Sequence, residues 1–154
     1  AQKNIHAYVF GEHGDTSFIP WSGAYVSGVS LDEYYETVEK MGRNVTKIDK
    51  DAMLEYVRTS GGQVIANKGA TFYAVSVAVC KLVATILSSS DSVATVSSMM
   101  HGEYGIEDVC LSTLTLVGPK GVQGKIPMRM TKEEVEKLKA SADALKAVIA
   151  QIEH

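Results

Sequence analysis

The chain has 154 residues, of which 45% are hydrophobic and 21% are charged. This length can bury a hydrophobic core without a disulfide or metal, and the composition excludes a disordered or fibrous protein. The net charge of -3, the isoelectric point of about 5.8 and the lack of a Lys/Arg cluster give no reason to expect a nucleic-acid or membrane partner. We therefore expect one globular domain that spans residues 1–154.

The first part of the chain predicts two strands around a turn. Residues 5–10 and 18–29 are rich in β-branched and aromatic side chains, which favours strands. Between them lies the segment Gly11-Glu12-His13-Gly14-Asp15, where glycines permit a tight turn. This turn would present His13 at the end of a strand, and Asp15 is interpreted as a turn residue.

Two capped helices are predicted next. Ser30, followed by acidic residues, indicates the start of a short helix over residues 30–39. Thr46 and Asp49 have the spacing of a capping box, which predicts the start of a longer helix.

The longer helix contains Gly61-Gly62, and this pair has two interpretations. Two glycines weaken a helix, so either the helix is interrupted there or a ligand approaches its backbone closely. A third helix, from Thr71 to about Ser88, is apolar on nearly all sides. Such a helix belongs in the middle of the domain or against a partner subunit.

The last third of the chain predicts a meander of strands and a final helix. Residues 92–100, 107–117 and 122–130 are extended segments separated by turn residues, as in antiparallel hairpins. Thr131 and Glu134 form a capping box before an amphipathic helix. The order of strands, helices, strands and helix predicts an α+β fold, with antiparallel strands packed against helices.

The cysteines and the absent motifs indicate where the protein is located and which domain this chain lacks. Cys80 and Cys110 lie in apolar runs and are interpreted as buried free thiols, which suits a cytoplasmic protein. The start of the chain has no apolar core of signal-peptide length, and the longest apolar tract, residues 72–80, is too short to span a membrane. No Gly-x-Gly-x-x-Gly occurs, so we expect a dinucleotide-binding half, with its Rossmann fold, to be absent from this chain.

His13 is the main candidate for chemistry. Imidazole titrates near neutral pH and serves as a proton donor, although a lone histidine is often only a surface residue. The string His-Ala-Tyr-Val-Phe-Gly-Glu-His-Gly-Asp-Thr (6–16), followed by Phe-Ile-Pro-Trp-Ser (18–22), resembles the active-site histidine segment of the bacterial L-lactate dehydrogenase family. Lys-Gly-Ala-Thr-Phe-Tyr (68–73) and Gly-Glu-Tyr-Gly (102–105) extend the resemblance to the C-terminal, substrate-binding half of lactate and malate dehydrogenases.

This resemblance implies roles for individual residues. It implies that His13 exchanges a proton with the substrate while NAD carries the hydride between pyruvate and L-lactate. Thr71 matches a threonine that lines the substrate pocket, although its hydroxyl also suits a helix N-cap. Val75 matches an apolar residue against the nicotinamide ring. Gly61 and Gly62 match the pocket wall, and the glycine pair resembles malate or branched-chain 2-hydroxy acid enzymes, which are the alternative.

The resemblance also implies partners outside this chain. NAD is expected to bind mainly to the absent N-terminal domain, and the orienting Asp, the substrate-clamping Arg and the mobile-loop Arg match no position here, so the fragment alone is expected to be inactive. A homo-oligomer, dimer or tetramer, is expected. His6 matches a histidine that helps to bind fructose 1,6-bisphosphate; an exposed strand histidine is the alternative.

Two further expectations come from the residues themselves. His6 and His13 are an odd number of positions apart, which places them on opposite faces of a continuous strand and argues against a shared metal. Because function belongs to a complete site and not to a fold, a non-catalytic oligomerisation or ligand-binding module is the competing hypothesis.

Overall fold

Two small antiparallel sheets and four α-helices form the structure, a computed structural model that describes residues 2–152. The first sheet contains β1 (Ile5–His6), β2 (Tyr25–Val26) and β3 (Val29–Ser30), and the second contains β4 (Ser92–His101), β5 (Glu107–Gly118) and β6 (Gly121–Lys125). The helices are α1 (Leu31–Lys40), α2 (Lys50–Lys68), α3 (Tyr73–Leu87) and α4 (Lys132–Ile149). The predicted α+β class is confirmed.

The strands of the first sheet are much shorter than predicted. Instead of continuous strands over 5–10 and 18–29, each strand of this sheet has two residues, and Phe10 and Phe18 form an isolated bridge. Pro20 has no N–H to donate, and a single 3-10 turn follows it. Ser27 (φ 52°) and Gly28 (φ 84°) then make the two-residue turn of the β2–β3 hairpin, because positive φ angles suit the twist of paired strands.

Side-chain caps decide where the helices begin. Ser30 caps the start of α1, as predicted, and Glu33 completes a capping box with it. The predicted start of α2 at Thr46 is wrong. Asp49 is the N-cap instead, because its carboxylate accepts hydrogen bonds from the backbone N–H groups of Asp51 (3.1 Å) and Ala52 (3.0 Å).

The glycine pair does not interrupt α2. The helix continues through Gly61 and Gly62 to Lys68 and ends at Gly69, whose left-handed φ of 77° terminates it. The predicted break is therefore wrong: the backbone hydrogen bonds of α2 continue on both sides of the pair and its two ends are capped.

The second sheet forms the predicted meander, with β5 between β4 and β6. Strand β6 ends at Lys125, earlier than predicted, because Pro127 lacks an N–H and the Tyr104 hydroxyl bonds both the N–H (2.7 Å) and the carbonyl (3.1 Å) of Met128. The main core lies between this sheet, α4 and the segment before β2. Its largest buried side chains are Phe10, Phe18, Met100, Leu111 and Leu138.

Helices α2 and α3 bury none of their residues within the described part of the chain. The prediction of α3 in the middle of the domain is therefore wrong, and its apolar surface faces outward. The predicted burial of both cysteines is also wrong. Cys80 is exposed because it lies on α3, and Cys110 is exposed on the opposite side of β5 from Val109 and Leu111; both thiols are free. Across residues 2–152, no helix combines the length and apolarity needed to span a membrane.

The N-terminus of α4 is tied to the segment after Pro20 by Glu134. The carboxylate of Glu134 accepts hydrogen bonds from the N–H (3.0 Å) and hydroxyl (2.5 Å) of Ser22 and from the N–H of Thr131 (2.8 Å). Burial disfavours the ionised form, but these hydrogen bonds together outweigh it and lower the pKa of Glu134. The predicted capping box at α4 is thus confirmed and extended to a distant segment.

We predict that Glu134→Gln destabilises the protein at pH 7 by about 1 to 3 kcal/mol, because hydrogen bonds to a charged acceptor are lost. Because the pKa of Glu134 is lower in the folded protein than its unfolded-state value of about 4.3, the ionised carboxylate stabilises the fold above about pH 4.3. This stabilisation is lost as the pH falls through the folded-state pKa. Urea unfolding from pH 7 to 3 should therefore show the variant and wild type converging in acid.

The matched control is Glu133→Gln, which removes a carboxylate from the same first turn of α4 without these hydrogen bonds. We expect it to have a small effect at all pH values. A constant difference between Glu134→Gln and wild type from pH 7 to 3 would contradict the stabilising role of the ionised carboxylate.

Candidate functional site

A cleft of about 860 Å³ separates the turn of residues 11–17 from α2 and the start of α3. The turn forms one wall, and α2 with the first residues of α3 forms the other. Thr95 of β4 and Ser112 of β5 also line the cleft. A smaller cavity of about 380 Å³, lined by Asp15, Thr16 and Arg58 among others, adjoins the same turn.

The ends of the turn are fixed by backbone pairing. Phe10 and Phe18 exchange two backbone hydrogen bonds (2.8 and 3.0 Å), and Gly11 exchanges two with Ser112 of β5 (3.0 and 2.9 Å). Gly11 has a φ of 99°, which a residue with a side chain rarely adopts. The two phenylalanines are buried in the core, so the turn is held by its ends and its tip projects from them.

His13 lies at this tip with an exposed side chain that lines the cleft. Within residues 2–152, its imidazole forms no hydrogen bond and no ion pair. Asp15, two positions later, lines the same cleft but does not pair with His13. This part of the chain therefore supplies an imidazole with both ring nitrogens available to a ligand, and no carboxylate that orients it.

The opposite wall carries the other predicted site residues. Gly61 and Gly62 of α2, Thr71 in the turn before α3, and Val75 of α3 all line the cleft with His13. A Cβ atom built on either glycine has no heavy atom within 4 Å, so the wall is open at the glycine pair. The structure thus brings five of the six predicted site residues to one cavity, all except His6.

The alternative role of Thr71 as a helix cap is wrong. Helix α3 begins at Tyr73, and its N-cap is Phe72. In the described part of the chain, no side chain forms a hydrogen bond that caps this end of the helix. The hydroxyl of Thr71 is consequently not used at the start of the helix.

Arg58 of α2 was not predicted from the sequence. Its guanidinium donates to the carbonyl oxygen of Ser17 through Nε (3.0 Å) and through a terminal nitrogen, and it lines the cleft. It therefore ties α2 to the turn of residues 11–17. Its position four residues before Gly62 places both on one face of the helix.

A second unpredicted group is the hydroxyl of Ser141 on α4. Ser141 is fully buried, and its Oγ accepts a hydrogen bond from the backbone N–H of Glu12 (2.8 Å). The side chain of Thr16 contacts the same oxygen (3.0 Å). No local sequence pattern could reveal this contact, because it joins residues at opposite ends of the chain.

His6 is not part of the cleft. It lies in β1, exposed and paired with Tyr25 of β2, and the lining of the cleft does not include it. Among residues 2–152, no group of three or more His, Cys, Asp or Glu side chains is arranged to hold a metal ion.

Known proteins are similar to this chain in sequence. The family model of the lactate/malate dehydrogenase alpha/beta C-terminal domain matches residues 1–154. L-lactate dehydrogenases of Acetivibrio thermocellus and Thermoanaerobacterium saccharolyticum are 37% and 40% identical to the chain, over 98% of it. The chain covers only 47% and 48% of those relatives, so it spans about half of their length.

Solved structures give the same result. An L-lactate dehydrogenase from Clostridium thermocellum has a TM-score of 0.85 at 35% identity and covers the whole chain with 48% of its own length. A malate dehydrogenase from Archaeoglobus fulgidus, solved in complex with NADH, has a TM-score of 0.81 at 28% identity, over 98% of this chain and 45% of that one. The chain therefore belongs to the lactate/malate dehydrogenase family, as its C-terminal domain.

Proposed function

We propose that this chain is the substrate-binding and catalytic domain of an NAD-dependent L-lactate dehydrogenase that interconverts pyruvate and L-lactate. The observation that carries the proposal is the meeting of His13, Thr71 and the glycine pair in one cleft. Relatives that carry the name L-lactate dehydrogenase support the choice of substrate. NAD in the proposed enzyme is held mainly by residues outside this chain, and the present domain alone is expected to have no turnover.

His13 is the acid and base of the proposed reaction. Bound NADH supplies a hydride to the carbonyl carbon of the 2-oxo acid. The carbonyl oxygen gains negative charge, and the protonated imidazole of His13 donates its proton to that oxygen. In the reverse direction the neutral imidazole removes the hydroxyl proton of the 2-hydroxy acid. A histidine with no internal hydrogen bond partner in residues 2–152 suits this role, because its ring nitrogens remain available to the substrate.

The other wall binds and orients the substrate. In this proposal the hydroxyl of Thr71 hydrogen-bonds a polar group of the acid. Its place in the lining of the cleft and its lack of a capping role support this. Val75 is about half exposed (54%) and offers an apolar surface to the nicotinamide ring, so the cleft fits part of the cofactor. The apolar residues of this wall also exclude water from the carbonyl oxygen of the 2-oxo acid, on which negative charge develops during the reaction.

Malate or another L-2-hydroxy acid is the competing substrate. Gly61 and Gly62 leave open space where side chains would narrow the cleft. A wider cleft accepts a 2-oxo acid with a larger side chain than the methyl group of pyruvate. The structural similarity to a malate dehydrogenase is compatible with this alternative.

The proposed protein is a homo-oligomer. Helix α3 carries apolar side chains that are more than half exposed, including Val77 (55%), Val79 (53%) and Leu87 (80%). Soluble proteins cover such surfaces with another domain or subunit. His6, exposed on β1, stays a candidate for binding fructose 1,6-bisphosphate, with its remaining phosphate contacts outside this chain.

We predict that His13→Asn in the complete protein lowers kcat for pyruvate reduction by about 10²- to 10⁴-fold, the contribution typical of a general acid. Steady-state assays with NADH measure this loss. Fluorescence titration with NADH should give an unchanged Kd, because His13 acts on the substrate oxygen.

The control is His101→Gln, which changes an exposed histidine at the end of β4, away from the cleft. It should retain wild-type kcat. If His13→Asn retained wild-type turnover as well, His13 would have no part in the mechanism.

A further inference from the structure

The turn that carries His13 rests on a closed ring of hydrogen bonds with α4. Glu12 donates its backbone N–H to Oγ of Ser141 (2.8 Å), Oγ of Ser141 and Oγ1 of Thr16 are 3.0 Å apart, and Oγ1 of Thr16 lies 2.7 Å from Oε1 of Glu12. The N–H of Thr16 donates to the same carboxylate oxygen (3.1 Å). Three side chains, two from the turn and one from a distant helix, therefore form one unit.

The protons of this ring have one consistent direction. A carboxylate only accepts hydrogen bonds, and each hydroxyl has a single proton to donate. The proton of Thr16 is directed to Glu12, which is the shorter contact and has a charged acceptor. The proton of Ser141 is then directed to Thr16. Each hydroxyl thus donates once and accepts once, so loss of either hydroxyl opens the ring.

The contact with α4 also explains the glycine at the start of the turn. A Cβ atom on Gly11 would lie 2.7 Å from Oγ of Ser141, closer than non-bonded atoms approach. The main chain therefore runs directly over the Ser141 side chain, which is fully buried. His13 lies between Glu12 and Thr16, so both neighbours in the ring constrain its backbone, while its imidazole takes no part.

We propose that Ser141 of α4 is a positioning residue. Its hydroxyl fixes the turn, so that His13 faces Thr71 and the glycine pair across the cleft. The inference rests on the proposed reductase function and deepens it. Ser141 does not touch the cleft, and it acts through Glu12 and Thr16. A displacement of about 1 Å at a reacting group can cost roughly 100-fold in rate, so the ring controls kcat.

The test uses variants of the complete protein that remove single hydroxyls. Ser141→Ala and Thr16→Val each open the ring with little change in side-chain volume. Each should lower kcat for 2-oxo acid reduction by about 10- to 100-fold with an unchanged Kd for NADH. Thr16→Ser keeps the hydroxyl and should retain most of the wild-type kcat. In the double variant Ser141→Ala/Thr16→Val, the loss should be smaller than the product of the two single losses, because both hydroxyls belong to one unit.

The matched control is Ala142→Gly, a change at the neighbouring buried position of α4. It lowers Tm by weakening the helix but leaves the ring intact, so its kcat should equal that of wild type. A kcat loss in Ala142→Gly as large as that in Ser141→Ala would show that general destabilisation is the cause, and would overturn the positioning role. Wild-type kcat in both single hydroxyl variants would overturn it as well.

Amide hydrogen exchange provides a measurement that does not depend on turnover. The Glu12 N–H should exchange faster in Ser141→Ala than in wild type or Ala142→Gly, because its acceptor is missing; equal exchange in all three would overturn the ring. A wild-type protein with no turnover on any 2-oxo acid would overturn the proposed function itself. An active wild type with an equally active Ser141→Ala variant would overturn only the role of Ser141.

Discussion

The site depends on one constraint, the anchoring of the main chain at Gly11. On one side Gly11 is paired with Ser112 of β5, and on the other it packs against the Ser141 side chain of α4. Only glycine satisfies both the φ of 99° and the lack of space for a Cβ atom. The tip of the turn, with His13, is therefore placed by the core of the domain and not by a flexible loop.

The two walls of the cleft have different physical support. The wall with His13 is attached to the buried cluster of Phe10, Phe18 and Leu138. The wall with Gly61 and Thr71 belongs to helices that bury no residue within the described chain. Arg58 is one direct polar link from α2 to the turn. The backbone that carries His13 is thus fixed by the core, whereas the opposite wall has glycine at its centre and exposed apolar side chains behind it.

Local patterns predicted much of the fold and failed where distant contacts decide. The capping boxes at Ser30 and Thr131 were readable because each is formed within four residues, and the meander was readable from its turns. The prediction of a helix break at Gly61 was wrong. The low helix propensity of glycine is only a weak predictor, and α2 continues through the pair. Local patterns singled out His13 and the glycine pair, whereas Thr71 and Val75 came from family resemblance. Ser141 was missed because its partner, Glu12, lies at the other end of the chain.

We expect this cleft, when completed by a nucleotide-binding half, to reduce a 2-oxo acid. The most direct measurement is NADH oxidation by the complete protein with pyruvate, oxaloacetate and a branched-chain 2-oxo acid, compared by kcat/KM. We expect turnover with pyruvate as the preferred acid, and a preference for a bulkier acid would indicate that the open wall at the glycine pair sets the specificity. Equal failure with every 2-oxo acid would show that the cleft does not serve 2-oxo acid reduction.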